Sequence, residues 1–287
     1  MIKYFLLLLN TLLFITFGYS QSKFPTLNFD LEMIVEKPKD QQYSSRVLLD
    51  SKNRMLFLGA EFSYSRATNG YNIWESAIWR RLPDGQIDST FGDNGILIYS
   101  NSYKGNEIQV AAIQPDDKII IGELVRGKSN DSLRITRFLG EGKVDTNFGK
   151  GGNLVINPEP IESANLQLRN IKIQPDGKIL VLGNYTQGTE YGQELFLCRI
   201  LTNGKLDKSF GQAGMVKTQI GKYQDRGIEI FLEEDGKIWI LGHHHDNSIF
   251  SKDLQIDITL IRLNSNGAFD KEFAIDGVAK FEGEQKF

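Results

Sequence analysis

The segment Asp88-Ser-Thr-Phe91-Gly92-Asp-Asn-Gly95 decides the fold, because the chain repeats it three more times. The phenylalanines of the four copies lie 57, 62 and 63 residues apart. A repeat at a nearly fixed interval predicts an array of similar structural units. The other copies are Asp145-Thr-Asn-Phe148-Gly149-Lys-Gly-Gly152, Asp207-Lys-Ser-Phe210-Gly211-Gln-Ala-Gly214 and Asp270-Lys-Glu-Phe273-Ala274-Ile-Asp-Gly277.

An arginine precedes each of these aspartates by eight residues, and a turn glycine lies between the two. Residues that recur in every unit serve every unit, so we interpret them as structural and not as one active site. We expect the phenylalanines to fill the contact between neighbouring units, and each Arg and Asp to form an ion pair or a cap on the turn. These structural positions are Arg80, Asp88, Phe91, Gly92, Arg137, Asp145, Phe148, Gly149, Arg199, Asp207, Phe210, Gly211, Arg262, Asp270 and Phe273.

A second repeated motif lies upstream in each unit, as Gln114-Pro-Asp-Asp-Lys-Ile119, Gln174-Pro-Asp-Gly-Lys-Ile179 and Glu234-Asp-Gly-Lys-Ile238, with a degenerate copy at Asp50-Ser-Lys-Asn-Arg-Met55. Each copy runs into a short apolar stretch, which is typical of a turn inside a β-hairpin. One unit then parses as strands at 108–113, 118–124, 133–139 and 153–157. Four short antiparallel strands per repeat are typical of a propeller blade.

In these two motifs the chain resembles the delta-60 repeat family, over about residues 43–281. The resemblance implies an all-β, β-propeller-like fold in exported bacterial proteins, and it implies no particular reaction. We predict four four-stranded blades of about 60 residues in a single domain, 21–287, with repeats at about 43–99, 106–157, 165–218 and 227–281. An extra strand at 29–35 would belong to an incomplete fifth blade or would add to the edge of the fourth unit near Gly277–Phe281. Open blade edges would favour self-association.

Residues Met1–Ser20 have one cationic residue, Lys3, then an apolar run of about 14 residues, then the small residues Gly18 and Ser20. This pattern is typical of a secretory signal peptide, and the run is short for a membrane-spanning helix. We therefore expect a protein that is secreted, periplasmic or attached to the cell surface, with no stable membrane span after removal of the signal.

Composition excludes several function classes. Lys+Arg 33 against Asp+Glu 36 gives a net charge of -3, and without a basic run the chain lacks the electrostatic signature of a nucleic-acid-binding protein. The single cysteine, Cys198, excludes an intramolecular disulfide framework. The chain also lacks the common catalytic and phosphate-binding motifs, so we expect no cofactor and no catalytic residues.

The histidines are consecutive, at His243, His244 and His245. In an extended segment only His243 and His245 point to the same side, which makes them weak candidates for a metal site. We favour a solvated loop for all three.

The remaining candidates lie in the connections between the second and third strands of each unit and between successive units, which vary in length and content. Variable loops on a rigid scaffold usually carry binding, so we expect a non-catalytic binding or scaffolding module whose ligand is a glycan or a protein. The alternative is a propeller enzyme, such as a secreted glycan hydrolase or lyase, with acids at the central channel. The candidate ligand-face residues are Tyr64, Trp74, Tyr185, Tyr191 and His244.

Overall fold

A computed structural model describes residues 42–64, 72–99, 108–125, 131–158, 166–186, 193–221, 224–245 and 256–281. These residues form strands and turns, and none of them lies in a helix that is long and apolar enough to cross a membrane. The signal segment and the expected strand at 29–35 lie outside the described residues. The strands are β1 (Gln42–Leu49), β2 (Met55–Tyr64), β3 (Asn72–Arg81), β4 (Ile96–Tyr99), β5 (Ile108–Ile113), β6 (Ile119–Val125), β7 (Ser132–Phe138), β8 (Asn153–Ile156), β9 (Gln167–Ile173), β10 (Ile179–Thr186), β11 (Gln193–Ile200), β12 (Met215–Thr218), β13 (Gln224–Leu232), β14 (Ile238–His245), β15 (Asp257–Leu263) and β16 (Val278–Phe281).

The strands form four antiparallel sheets in chain order, which we number units 1 to 4: β1–β4, β5–β8, β9–β12 and β13–β16. A parallel bridge between Gln193 and Gln224 also connects units 3 and 4. The first strand of each unit contacts the first strand of the next, so these strands are the inner ones. The all-β, propeller-like prediction with four four-stranded blades is confirmed.

The turn between the first and second strands keeps one geometry although its sequence varies. The residue with left-handed backbone is Gly177 in unit 3, with φ of 80°, and Gly236 in unit 4, with φ of 85°. Asp117 and Asn53 occupy the same place in units 2 and 1, with φ of 61° and 58°. Asp and Asn tolerate this region better than most residues with a side chain, so the departures from glycine leave the hairpin intact.

Each inner strand contains a register shift at the same place. The residues that the pairing skips are Ser45, Gln109, Arg169 and Ile228. A bulge of this kind bends the strand and turns the side chain of the extra residue in a new direction. The repeat therefore places one bulge near the start of the inner strand of every unit.

The hydrophobic core lies between the sheets. Three buried clusters each combine side chains of two successive units, for example Leu58 of unit 1 with Ile121 of unit 2. The repeated Phe91, Phe148 and Phe210 each belong to one cluster and are fully buried. Because burial of a large aromatic ring contributes several kcal/mol, each unit depends on its neighbour for stability.

The repeated arginine and aspartate form an ion pair in all four units. The distance from Arg Nε to Asp Oδ2 is 2.8 Å for Arg80 and Asp88, and 2.9 Å for Arg137 and Asp145. The second carboxylate oxygen of Asp145 accepts a hydrogen bond from the backbone N–H of Asn147, at 3.1 Å, and so caps the turn. The other two pairs, Arg199 with Asp207 and Arg262 with Asp270, each have a distance of 2.8 Å.

Backbone hydrogen bonds join each unit to the next through a short turn that we call the tab. The tab follows the third strand and consists of 82–85 in unit 1, 139–142 in unit 2, 201–204 in unit 3 and 264–267 in unit 4. The N–H of Gly149 donates to the carbonyl of Asn203 in the unit 3 tab, at 2.9 Å. A Cβ atom on Gly204 would lie 2.3 Å from the nitrogen of Gly149, so this contact requires glycine.

The surface that receives a tab is called the socket, and it consists of the repeated arginine, phenylalanine and following glycine of the preceding unit. Its arginine donates from Nη1 to a tab carbonyl, as Arg137 does to Thr202 at 2.7 Å. The same contact joins Arg80 to Gly140 and Arg199 to Ser265. The tab and socket thus form one interface, repeated three times between the four units.

Candidate functional site

A basic cluster lies where the inner strands of units 3 and 4 begin, on the side of the variable connections. Arg169 comes from β9, Arg226 from β13, and His243 and His245 from the end of β14. The register of β13 and β14 places Arg226 directly opposite His243. Two neighbouring units thus supply four basic side chains to the same end of the inner strands.

Arg169 is the bulge residue of its strand, and its guanidinium contacts amide side chains. Its Nε donates to Oδ1 of Asn184 at 3.3 Å, and its Nη2 donates to Oε1 of Gln167. Asn184 is itself buried and donates from Nδ2 to the carbonyl of Asp225 at 2.6 Å. This hydrogen bond crosses from unit 3 to unit 4 and holds the partner of Arg169 in place.

Arg226 makes a similar contact with a neutral group, because its Nε donates to Oε1 of Gln193 at 2.7 Å. Among the described residues, neither Arg169 nor Arg226 has a carboxylate oxygen within 4.0 Å. Amide partners orient a guanidinium without neutralising its charge. The cluster therefore keeps two positive charges that the described residues leave uncompensated.

The pKa values within the cluster reflect this excess of positive charge. Burial lowers the pKa of Arg169, and the charge of Arg226 lowers it further. Burial also lowers the pKa of His243, and the positive charges of His245 and Arg226 act in the same direction. The pKa of His245 is lowered by burial, then by Arg226 and His244, against an opposing effect of Asp257. An anion bound here would relieve the repulsion among these groups.

The three histidines lie at the end of β14, so the expectation of a solvated loop is wrong. His244 and His245 are buried, and Nδ1 of His244 lies 2.8 Å from Oγ1 of Thr259. Pairing of β14 with both β13 and β15 carries the sheet through this segment, which the polar sequence did not indicate. The rings of His243 and His245 lie 5.5 Å apart. Within the described ranges no three His, Cys, Asp or Glu residues are arranged to hold a metal ion.

The structure places the candidate ligand-face residues in different environments. Tyr185 is buried against Phe196, and its hydroxyl bonds to Glu194 on the neighbouring strand, so it packs on its own unit and is not a surface residue. His244 is buried as well. The backbone of Tyr64 and Trp74 lies in paired strands, but their side chains and all of Tyr191 lie outside the described residues.

A cavity of about 470 Å³ lies at the opposite end of the inner strands. It is lined by turns from units 1, 2 and 3 and by Leu232 of unit 4. Its carboxylates have partners nearby, since Asp50 pairs with Arg54 at 2.6 Å and Asp117 accepts two hydrogen bonds from Ser51. Both carboxylates are therefore held by groups of unit 1.

The sequence motifs did not identify Arg169 or Arg226. Neither residue recurs at its position in the other units, so a search for repeated residues passes over both. The signal that could have identified them is a charged residue that lies near the start of an inner strand and does not recur in the other repeats. Their convergence also depends on the bulge at Arg169, which the residue pattern does not show.

Comparison with known proteins gives one family match. Residues 174–210 match a family model described as "Domain of unknown function (DUF5122) beta-propeller". This stretch runs from the turn at Gln174 to the socket residue Phe210 and includes β10 and β11. A comparison with curated proteins finds no match. The match supports a β-propeller repeat, in agreement with the fold.

Proposed function

We propose that this protein is an exported, non-catalytic binding module of the delta-60 repeat type, which takes an anionic ligand at the basic cluster. The observation that carries the proposal is the pair Arg169 and Arg226, two guanidiniums on neighbouring inner strands whose described partners are neutral amides. Guanidinium groups bind carboxylate, sulfate and phosphate through paired hydrogen bonds. The signal-like segment Met1–Ser20 supports export.

The location of the cluster supports binding over catalysis. It lies on the side of the variable connections, where a ligand can contact both the fixed strands and the loops. The arginines also remain protonated at neutral pH, so they cannot act as general bases there. A ligand with repeated acidic groups, such as an acidic glycan, fits this arrangement because the guanidiniums bind the anions and nearby amides can bind hydroxyl groups.

The test is a calorimetric titration with an oligouronate, which carries one carboxylate per sugar. We expect Arg169→Ala and Arg226→Ala each to weaken binding by about 10- to 100-fold, the range of a lost hydrogen bond to a charged group. Arg81→Ala is the matched control, because Arg81 lies in unit 1 and donates to Gly85. Equal affinity of all variants would contradict the proposal.

Two further ligands distinguish an acidic glycan from an acidic protein segment as the source of the anionic groups. A neutral oligosaccharide of the same length should not bind measurably, and a poly-glutamate peptide should bind more weakly than the oligouronate if the sugar hydroxyls contribute. Equal or tighter binding of the peptide would replace the glycan by an acidic protein segment. Binding of the oligouronate should also weaken with added salt, because exposed charges are screened.

A further inference from the structure

Among the described residues, the unit 4 socket lacks the tab contact that fills the sockets of units 1 to 3. In unit 4 the side chain of Arg262 is 20% exposed, whereas that of Arg80 is 3% exposed and that of Arg137 is 9% exposed. Phe273 is half-buried, while its counterparts are fully buried. Ile275, two residues further on, is 82% exposed. An apolar surface that is covered in three units is thus open in the fourth.

The open socket keeps the main features of the filled ones, although Nε of Arg262 makes no hydrogen bond to Asp270 and the guanidinium also lies over the ring of Trp239, 5.3 Å from its centroid. Arg262 pairs with Asp270 at 2.8 Å and lies over the ring of Phe273, 4.8 Å from its centroid. Ala274 replaces the usual glycine and keeps a left-handed φ of 45°, close to the 54° of Gly211. The arginine and the backbone N–H that bind a tab elsewhere are therefore both present at the open socket.

The first tab in the chain is the complementary free element. The N–H of Gly85 donates to the carbonyl of Leu82 at 2.9 Å, the bond that also closes the other tabs. The φ of Gly85 is 87°, like the 91° of Gly142. Gly85 is only half-buried, although its counterparts Gly142, Gly204 and Gly267 are buried. Unit 1 thus presents a preformed tab that lacks a socket in the described part of the chain.

We infer that the unit 4 socket of one chain receives the unit 1 tab of a second copy, head to tail. The three internal interfaces supply the template for the contact. By that template Arg262 donates to the carbonyl of Pro83 of the second copy, and the N–H of Ala274 donates to the carbonyl of Asp84 of the second copy. Identical copies that join through two different surfaces in this way form a heterologous interface.

The same template places two exposed apolar residues together. At the junction of units 3 and 4 one cleft is lined by Gln212 and Phe269, which correspond to Ile275 in unit 4 and Ile87 in unit 1. Ile87 is 57% exposed. At the position of Ile275 the internal units have the polar residues Asp93, Lys150 and Gln212. An isoleucine at the open end and another on the free tab would bury each other at the new junction.

Other segments of the same chain fit the socket less well. Residues 19–41 contain no glycine, whereas the tab has glycine in all four units. Among the described residues no hydrogen bond or ion pair joins the unit 1 tab to the unit 4 socket within one chain. The second copy is the occupant for which the chain carries a matching surface.

The test is the mass of the purified protein in solution by light scattering, from about 1 to about 100 µM, which spans micromolar dissociation constants. The wild type should associate as concentration rises, and Ile87→Glu and Ile275→Glu should each weaken association at least tenfold. Val155→Glu is the control, because Val155 is 59% exposed on unit 2, away from both surfaces. A wild type that stays monomeric, through closure by its own N-terminal segment or otherwise, would overturn the inference.

Mixing the two glutamate variants makes the test specific for a head-to-tail contact. The Ile87→Glu chain keeps its socket and the Ile275→Glu chain keeps its tab, so the mixture should form a dimer through one intact interface. An interface that uses the same surface on both copies would not be restored by mixing, and that result would overturn the inference.

Cross-linking provides a second measurement. Gln86→Cys and Asp276→Cys chains, mixed and treated with a bismaleimide, should give a covalent dimer, because the corresponding Ala268 and Ala213 line one cleft. Cys198 should not react, since it is buried and burial raises its pKa to about 12. Failure to cross-link in folded, mixed chains would count against the contact.

Discussion

The Cζ atom of Arg137 lies 4.5 Å from the centroid of the Phe148 ring, at the junction of units 2 and 3. The same guanidinium pairs with Asp145 at 2.9 Å and donates to the carbonyl of Thr202 in the next unit at 2.7 Å. One side chain thus connects an aromatic ring, a carboxylate and the neighbouring blade. A buried cation is tolerated because all of these partners compensate its charge.

Removal of the ring should destabilise the protein strongly. We expect Phe148→Ala to lower the free energy of unfolding by about 3 to 5 kcal/mol, because the ring is fully buried between two units. Phe273→Ala is the matched control and should cost about 1 to 2 kcal/mol, because that ring is only half-buried. Urea denaturation at low protein concentration measures both. Equal losses would contradict the role of the neighbouring unit.

Acid should destabilise the fold through the repeated aspartates. Burial raises the pKa of Asp207, but hydrogen bonds from Ser209 and the pairing with Arg199 outweigh it, so the net pKa lies below the ordinary 3.8. Asp88 shows the same net direction, where hydrogen bonds from Thr90 oppose burial. A depressed pKa in the folded state contributes stability above pH 3.8 that is lost as the pH falls through the folded value.

The measurement is the free energy of unfolding between about pH 6 and pH 2. We expect a decline below about pH 4 in the wild type, and a shallower decline in the Asp88→Asn, Asp207→Asn double variant, which starts from a lower stability. A double variant with the same pH slope as the wild type would show that these carboxylates are not responsible.

Two glycines in the connection between β7 and β8 allow the effect of close packing to be distinguished from that of backbone conformation. Both Gly149 and Gly151 have left-handed backbone, with φ of 56° and 60°. A Cβ atom on Gly149 would lie 2.2 Å from the carbonyl oxygen of Asn153, whereas one on Gly151 would have nothing within 4 Å. Gly151→Ala should therefore cost about 1 to 2 kcal/mol for conformation alone, and Gly149→Ala should cost more. Similar melting temperatures for the two variants would contradict the geometry.

The histidines should differ in their contribution to stability. A solvated loop would predict no effect for any of them, but His244 is buried and bonded to Thr259. His244→Ala should lower the free energy of unfolding by about 2 to 3 kcal/mol, through a lost hydrogen bond and a cavity. His243→Ala, at a half-buried position of the same strand, should cost less. The melting temperatures of the two variants, measured by circular dichroism, test the order.

The strands could be predicted from the sequence because turn residues mark their ends. The second unit shows this, since the expected strands at 108–113 and 153–157 correspond to β5 and β8 within one residue. The sequence also identifies which residues recur. It does not show that Arg137 reaches Thr202, because this contact spans 65 positions and depends on how two sheets pack.

The basic cluster could not be predicted for a related reason. Arg169 and Arg226 are 57 positions apart and occupy different places in their repeats. They converge because a bulge turns Arg169 and because the sheets of units 3 and 4 lie side by side. The burial of His244 likewise follows from pairing on both sides of β14 and not from its polar neighbours in the chain.

The most direct test of the account is amide hydrogen exchange at Ala274, compared with Gly92, Gly149 and Gly211. The three glycine N–H groups donate to tab carbonyls at 2.8 to 2.9 Å, whereas the N–H of Ala274 makes no hydrogen bond within the described part of the chain. In dilute protein we predict slow exchange at the glycines and fast exchange at Ala274, and protection of Ala274 should rise with protein concentration. Fast exchange at the glycines, or strong protection of Ala274 at every concentration, would contradict an interface that is filled three times within the chain and completed by a second copy.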